Sequence, residues 1–304
     1  VTKHNLTKTL SLSLALVLPT QVLADGLFGA GHYSPGVSNL RDLSVPRESG
    51  FIYEQYNIYY TADTFTDSSG NDLGLNDDSY NVFAVAPSFV WTTDKELFGA
   101  RYAFSFNPLL VNNESAGEDL SGMGDLFVQP LWLGWQEDTY DINFGAGVYM
   151  PTGNSDVTLD FWTAQLQTSG YYYVMEGAGA FMLAATYETH TRSDSTDVKP
   201  GDHLSLEYGY SQYLTQQLEV GIRGYSQWKV ESDDITDFQQ GINEKRSTSI
   251  GSQSQVHGIG VSVGYWINGS WNITANAAKE YYSESRLEGE TYSINVTYSP
   301  KPIF

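Results

Sequence analysis

The sequence predicts an all-β protein, a transmembrane antiparallel barrel of about 12 strands of the bacterial outer-membrane type. Three observations lead there. Segments of alternating polarity recur along the chain, the connections between them alternate long and short, and the composition suits strands while offering no apolar run long enough for a spanning helix.

Composition sets the frame. The 304 residues include 22 Tyr, 14 Phe, 7 Trp and 29 Gly, a mixture that favours β-structure. Acidic residues number 36 against 15 basic ones, a net charge of -21, which argues against a nucleic-acid-binding surface. There is no cysteine, so disulfides, thiolate metal sites and cysteine nucleophiles are excluded.

Residues 1–24 read as an export signal. Lys3 and Lys8 precede the apolar stretch 10–18, and Val22, Leu23 and Ala24 offer a cleavage site. Removing Lys3 and Lys8 leaves 13 basic residues against 36 acids, a net charge of -23. Residues 25–50 follow, rich in glycine, proline and polar side chains. They are expected either to fold into the barrel's periplasmic mouth or lumen as a plug, with His32, Tyr33 and Arg41 as contacts, or to form a disordered leader.

Residues 51–304 form the expected barrel, with strands at 51–62, 80–92, 98–110, 124–136, 140–150, 161–175, 179–190, 203–213, 218–230, 256–266, 271–282 and 291–299. These lengths suit tilted strands crossing a bilayer. In the third, Phe98, Ala100, Tyr102, Phe104 and Phe106 oppose Arg101, Ala103, Ser105 and Asn107. In the fifth, Tyr140, Ile142, Phe144, Ala146 and Val148 oppose Asp141, Asn143, Gly145 and Gly147. Connections after odd strands are long (63–79, 111–123, 151–160, 191–202, 231–255, 283–290), and those after even strands are short. A sandwich has no such rhythm; an outer-membrane barrel has tight periplasmic turns and long outer loops, and an even strand count puts both termini in the periplasm. Trp91, Trp135, Trp266 and Trp271 near short turns, with Trp162 and Trp228 near long loops, suggest two interfacial girdles, and the terminal Phe304 suits a barrel-assembly signal.

Several motifs resemble the MetA-pathway of phenol degradation family of outer-membrane proteins. They are Gly31-His32-Tyr33-Ser34-Pro35-Gly36, Ser49-Gly50-Phe51-Ile52-Tyr53 with Tyr59-Tyr60, Ser121-Gly122-Met123-Gly124-Asp125-Leu126, Gln129-Pro130-Leu131-Trp132-Leu133-Gly134-Trp135, Gly147-Val148-Tyr149-Met150-Pro151-Thr152-Gly153, Gly221-Ile222-Arg223-Gly224-Tyr225, and Glu280 with Arg286 and Gly289. The resemblance spans nearly the whole mature chain. It implies a passive conduit for hydrophobic, often aromatic, compounds, with no defined substrate and no cofactor.

If the apolar faces meet lipid, the other parity lines the lumen. It would hold Arg101, Asp125, Asp141, Gln165, Gln167, Glu188, His190, His203, Glu207, Glu219, Arg223, Gln227, Lys229 and Glu280. Opposite charges must pair there, either bracing the wall or forming a constriction that selects solutes. Inner glycines at 145, 147, 221, 258, 260 and 264 would leave a narrow path, and Phe127, Leu131, Leu133, Phe161, Tyr171 and Tyr173 would make part of it apolar.

Catalysis finds little support. Gly260-Val261-Ser262-Val263-Gly264 has the G-x-S-x-G spelling of serine hydrolases but lies within an alternating strand, where the required strand-to-helix elbow is missing. His203, Ser205 and Glu207 share a face, as in an outer-membrane lipid hydrolase, yet Leu204, Leu206, Tyr208 and Tyr210 hold the side that would meet lipid. Acidic loop residues Asp67, Asp72, Asp77, Asp78, Asp233, Asp234 and Asp237 would either be solvated or bridge to lipopolysaccharide through calcium or magnesium; no EF-hand spacing occurs. The expected partners are outer-membrane lipid and lipopolysaccharide, the barrel-assembly machinery during biogenesis, and a small hydrophobic or aromatic solute. A conduit is the leading reading; a non-conducting barrel with a structural or adhesive outer surface is the alternative.

Overall fold

The computed structural model describes residues 31–73, 79–115, 118–154, 157–195, 197–235 and 253–300. The export signal at 1–24, Asp77, Asp78, Asp237 and Phe304 lie outside these residues. The elements are β1 (Gly50–Phe65), β2 (Tyr80–Leu97), β3 (Ala100–Asn107), β4 (Leu110–Ser115), β5 (Glu118–Met123), β6 (Leu126–Gln136), β7 (Tyr140–Met150), β8 (Thr163–Val174), β9 (Gly179–His190), β10 (Val198–Lys199), β11 (His203–Tyr213), β12 (Leu218–Lys229), β13 (Asp234–Ile235), β14 (Gln255–Asn268), β15 (Trp271–Glu284) and β16 (Leu287–Tyr298).

Each barrel strand pairs antiparallel with its neighbours, and β1 pairs both with β2 and with β16, which closes the sheet. Tyr60 marks the closure, opposite Val82 on one side and Thr291 on the other. Segments β4 and β5 carry the third and fourth barrel strands onward past short breaks, so the closed barrel has 12 strands. Closure pairs every wall strand on both sides, the condition for burying a sheet in hydrocarbon, while the β5 extension pairs with β4 alone among the described residues.

The barrel is inside-out. Ile222 is 63 % exposed, Ile259 61 % and Leu183 60 %, whereas Asp141, Glu188 and Gln227 are each 1 % exposed. Water would not leave that many branched aliphatic side chains uncovered while polar ones are enclosed, so lipid is the solvent of the outer face. Among the described residues no helix is long and apolar enough to cross a membrane; the strands do the crossing.

Four expectations need correction. The connection expected as loop at 111–123 is largely the β4–β5 hairpin. The one at 283–290 shrinks to Ser285 and Arg286, because β15 and β16 run on beyond the wall. Trp266 is not part of a lipid-facing girdle: it shares the inner parity of β14 with Val256 and Ser262, is buried, and donates its indole N–H to Tyr213. In β6 the register slips between Val128 and Leu131. Pro130 has no N–H to give the ladder, so a bulge forms and parity reverses. Leu131 and Leu133 then pair with Ala146 and Phe144 of the outer face, and buried Trp132 turns inward instead.

Candidate functional site: the lumen and its inner segment

Residues 31–49 run through the barrel from the end with long loops to the end with short turns. At the long-loop end, His32 contacts Asp125 at 3.1 Å and Thr163 at 2.8 Å. Asp125 also accepts from Thr158 Oγ1 at 2.6 Å and from the Leu159 amide at 2.9 Å, so one carboxylate ties the segment to the loop before β8. Burial lowers the affinity of His32 for a proton, against the pull of Asp125, so its ring is neutral at pH 7.

Lower down, Glu207 takes the Tyr33 hydroxyl, the Gly36 amide at 2.8 Å and the Arg223 guanidinium at 3.0 Å. Burial, reinforced by Glu207, pushes the Tyr33 phenol well above its usual value and keeps it a donor. Leu40 packs with Leu43, Tyr171, Met182 and Ala184. At the short-turn end, Arg41 donates to Glu219 at 2.6 Å and to the carbonyls of Gly177 and Ala178, with its guanidinium 4.9 Å from the centre of the Tyr213 ring. Arg47 donates to Asp141 at 2.6 Å and to the Glu137 carbonyl at 2.7 Å. The chain then leaves the lumen and enters β1.

The expected plug contacts His32, Tyr33 and Arg41 are thus all engaged with the wall. Asp125, Asp141, Glu188, Glu207, Glu219 and Arg223 face inward, but the inner segment occupies them. Lys229 lies at the long-loop rim, paired with Asp233 at 2.8 Å. Glu280 accepts from Tyr60 at 2.9 Å and from the Gly289 amide at 2.6 Å, and so braces the wall. Arg101 is half-buried on β3, and Gln165 is buried on β8. The inner glycines expected to open a path are mostly filled: a Cβ on Gly221 would stand 2.2 Å from Leu40, one on Gly145 2.0 Å from Gln129, and one on Gly258 2.3 Å from Tyr225.

Among the described residues, a cavity lies between the inner segment and β1, β2, β3, β6, β7 and β8. Its volume is about 140 Å³. Tyr33, Tyr56, Phe127, Trp132 and Tyr149 supply rings to its lining; Ser88, Ser105, Asn107, Gln129, Gln165 and Gln167 supply neutral polar groups; Asp42 and Glu54 supply carboxyls. Both carboxyls contact the Tyr56 hydroxyl, at 2.9 and 2.8 Å, and burial pushes the Asp42 carboxyl up. Of the sequence candidates only Tyr33, Phe127, Gln165 and Gln167 line this cavity. Trp132 was hidden by the bulge, although the Pro130 beside it is the signal that could have revealed it.

The hydrolase constellation does not assemble. Ser205 is inward, and its Oγ accepts from Gln227 at 3.0 Å, while His203 Nδ1 pairs with His190 at 2.9 Å and Nε2 has no partner. Ser262 is buried inside β14 rather than on an elbow.

An inside-out 12-stranded wall around a segment that bears the Gly31 to Gly36 motif directs comparison to one group of proteins. The sequence profile of the family described as "Putative MetA-pathway of phenol degradation" matches residues 62–296. The chain belongs to this family. In this MetA-family barrel, the Gln129 to Trp135 motif is the bulged strand that turns Trp132 inward, and the Gly147 to Gly153 motif carries Tyr149 into the cavity lining. Among solved structures, the COG4313 outer membrane channel from Pseudomonas putida F1 superposes with a TM-score of 0.72 at 14 % identity, covering 88 % of this chain and 99 % of that one. The translocator domain of the autotransporter NalP from Neisseria meningitidis (TM-score 0.49, 10 % identity, covering 83 % and 90 %) and the NanC porin (0.45, 8 %, covering 81 % and 99 %) are more distant. These likenesses are of fold. No curated protein matches the chain in sequence.

Proposed function

We propose that the protein is an outer-membrane channel for facilitated diffusion of small hydrophobic or aromatic compounds, with residues 25–50 as a plug that narrows its lumen. The observation that carries this reading is the cavity of about 140 Å³ beside the inner segment, lined by five aromatic rings, by neutral amides and hydroxyls, and by the carboxyls of Asp42 and Glu54, which are engaged by Tyr56. An enclosed apolar cavity of roughly 150 Å³ is enough to hold benzene. The mixed lining suits a single ring bearing a hydroxyl, which takes the amides as partners and the aromatic faces as walls. The COG4313 outer membrane channel, whose fold the chain shares, supports a conduit. In this reading residues 1–24 are removed on export, the long loops face outward, both termini are periplasmic, and the barrel-assembly machinery inserts the chain.

The test is flux into liposomes and current across planar bilayers, with phenol, benzoate, alkanes, sugars and amino acids offered in turn. Faster entry of phenol than of a sugar of similar size is expected. Deleting residues 27–48 should raise conductance and erase that preference. Equal permeation of every solute would reject the selectivity; unchanged conductance after deletion would reject the plug; no flux from either form would favour a structural or adhesive barrel.

A further inference from the structure

The long-loop end of the lumen gathers three of the chain's five histidines, and the diffusion reading leaves them without a task. Glu188 on β9 stands directly across from His203 on β11, and His190, two residues on, shares the inner face. One donor atom from each of Glu188, His190 and His203 lies within 4.8 Å of the others, and all three residues are buried.

The geometry is close to that of a coordination site. His190 Nε2 and His203 Nδ1 are 2.9 Å apart and share a hydrogen bond, whose proton an ion bound to both nitrogens would displace. Tetrahedral ligands at Zn–N distances near 2.0–2.1 Å stand roughly 3.3 Å from each other, so the two rings need to part by only a few tenths of an ångström. Glu188 uses Oε1 to accept the Tyr33 amide at 3.0 Å, while Oε2 is buried with no hydrogen-bond partner. Buried polar atoms seldom stay unpaired unless an ion or water completes them.

The inner segment packs closely on these donors. Gly31 has φ +77°, and a Cβ there would lie 2.5 Å from Glu188 Oε2 and 3.1 Å from His203 Nδ1, so any side chain at this position would crowd both. His190 is also held from behind. Its Nδ1 pairs with Thr163 at 2.7 Å, Thr163 with His32 at 2.8 Å, and His32 with Asp125 at 3.1 Å. An outer hydrogen-bonded chain of this kind fixes ring orientation and tautomer in metal sites.

We propose that Glu188, His190 and His203 bind one divalent transition-metal ion, with zinc as the best-matched probe, beside Gly31 of the inner segment. Two imidazoles and one carboxylate suit zinc and its first-row neighbours rather than calcium or magnesium, which prefer all-oxygen shells. The ion would neutralise the Glu188 carboxylate and lock the inner segment to β9 and β11.

The test uses the mature full chain, purified in detergent without a histidine tag, dialysed against limiting zinc and assayed for bound metal. Cobalt substitution supplies visible bands that report nitrogen and oxygen ligands in a tetrahedral field. One zinc per chain is expected, with affinity at least tenfold lower in His190→Ala, His203→Ala and Glu188→Gln, and unchanged in His257→Ala, whose ring lies on the outer parity of β14. Heat-modifiable gel migration confirms that each variant folds. Equal zinc retention by the parent and a folded His190→Ala/His203→Ala double variant would overturn the proposal, as would calcium displacing zinc at equal concentration. Metal content is read without solute flux, so failure here leaves the channel reading standing, and failure of flux leaves the site standing.

Discussion

Leu40 offers the sharpest test of how the inner segment is held. It is 4 % exposed, packs with Leu43, Tyr171, Met182 and Ala184, and lies over Gly209 and Gly221 of the wall. Leu40→Ala removes a buried side chain from a site that cannot fully collapse, a loss of about 2–5 kcal/mol. At about 3 kcal/mol the ratio of docked to undocked segment falls roughly 150-fold. Trypsin reads this directly, since Arg41 and Arg47 lie in the segment and are tied to the wall when docked. The variant should be cleaved there faster in proportion, and planar bilayers should show longer or larger openings. Gly221→Ala should act in the same direction, because its Cβ would approach Leu40 to 2.2 Å. The two changes should compensate: with Leu40 truncated, the added methyl has room, so the double variant should be less impaired than the sum of the singles. Parental cleavage and conductance in Leu40→Ala, or strict additivity in the double variant, would refute the docking argument.

Other outcomes follow from the same contacts. Glu207→Ala takes the carboxylate from the buried Arg223 guanidinium, which keeps the Ser38 carbonyl, and leaves the Gly36 amide without its acceptor, which should cost about 3–5 kcal/mol and expose the segment to trypsin. Asp42 has its pKa raised by burial, so the docked state binds its proton more tightly than the undocked one does; docking is favoured at low pH and weakens as pH rises through the raised value. Asp42→Asn should therefore slow hydrogen exchange in the segment at neutral pH and lose that advantage in acid, and a constant difference across pH would contradict the assignment. Val261 is 55 % exposed on the outer face of β14, and Val261→Arg should destabilise folding into lipid vesicles by about 2–4 kcal/mol; a neutral effect would argue against lipid contact there. Trp132→Ala enlarges the cavity and should raise sugar permeation relative to phenol, measured as a ratio of liposome entry rates.

Much of the wall was legible because strand parity is local. In β7, β9 and β11 the expected and observed bounds coincide at 140–150, 179–190 and 203–213, since clean alternation there meets turn residues at both ends. The bounds failed where strands overran the membrane, as in β4, β5, β15 and β16, because polar residues outside lipid carry no alternation to read. Parity failed at the Pro130 bulge, where one missing donor moved Trp132 to the other face.

The order of polar and apolar residues therefore determined, unaided, that this chain makes a closed sheet with its greasy side out, and which charges point inward. It did not determine what those charges meet. His32 finds Asp125 across 93 positions, Arg41 finds Glu219 across 178, and Glu188 and His190 meet His203 only because β9 and β11 are neighbours in a closed ring. Such pairings depend on closure and on the path of one segment through the interior. Only the three-dimensional structure could show that the inward charges hold that segment, and that a cavity lies between it and β1, β2, β3, β6, β7 and β8.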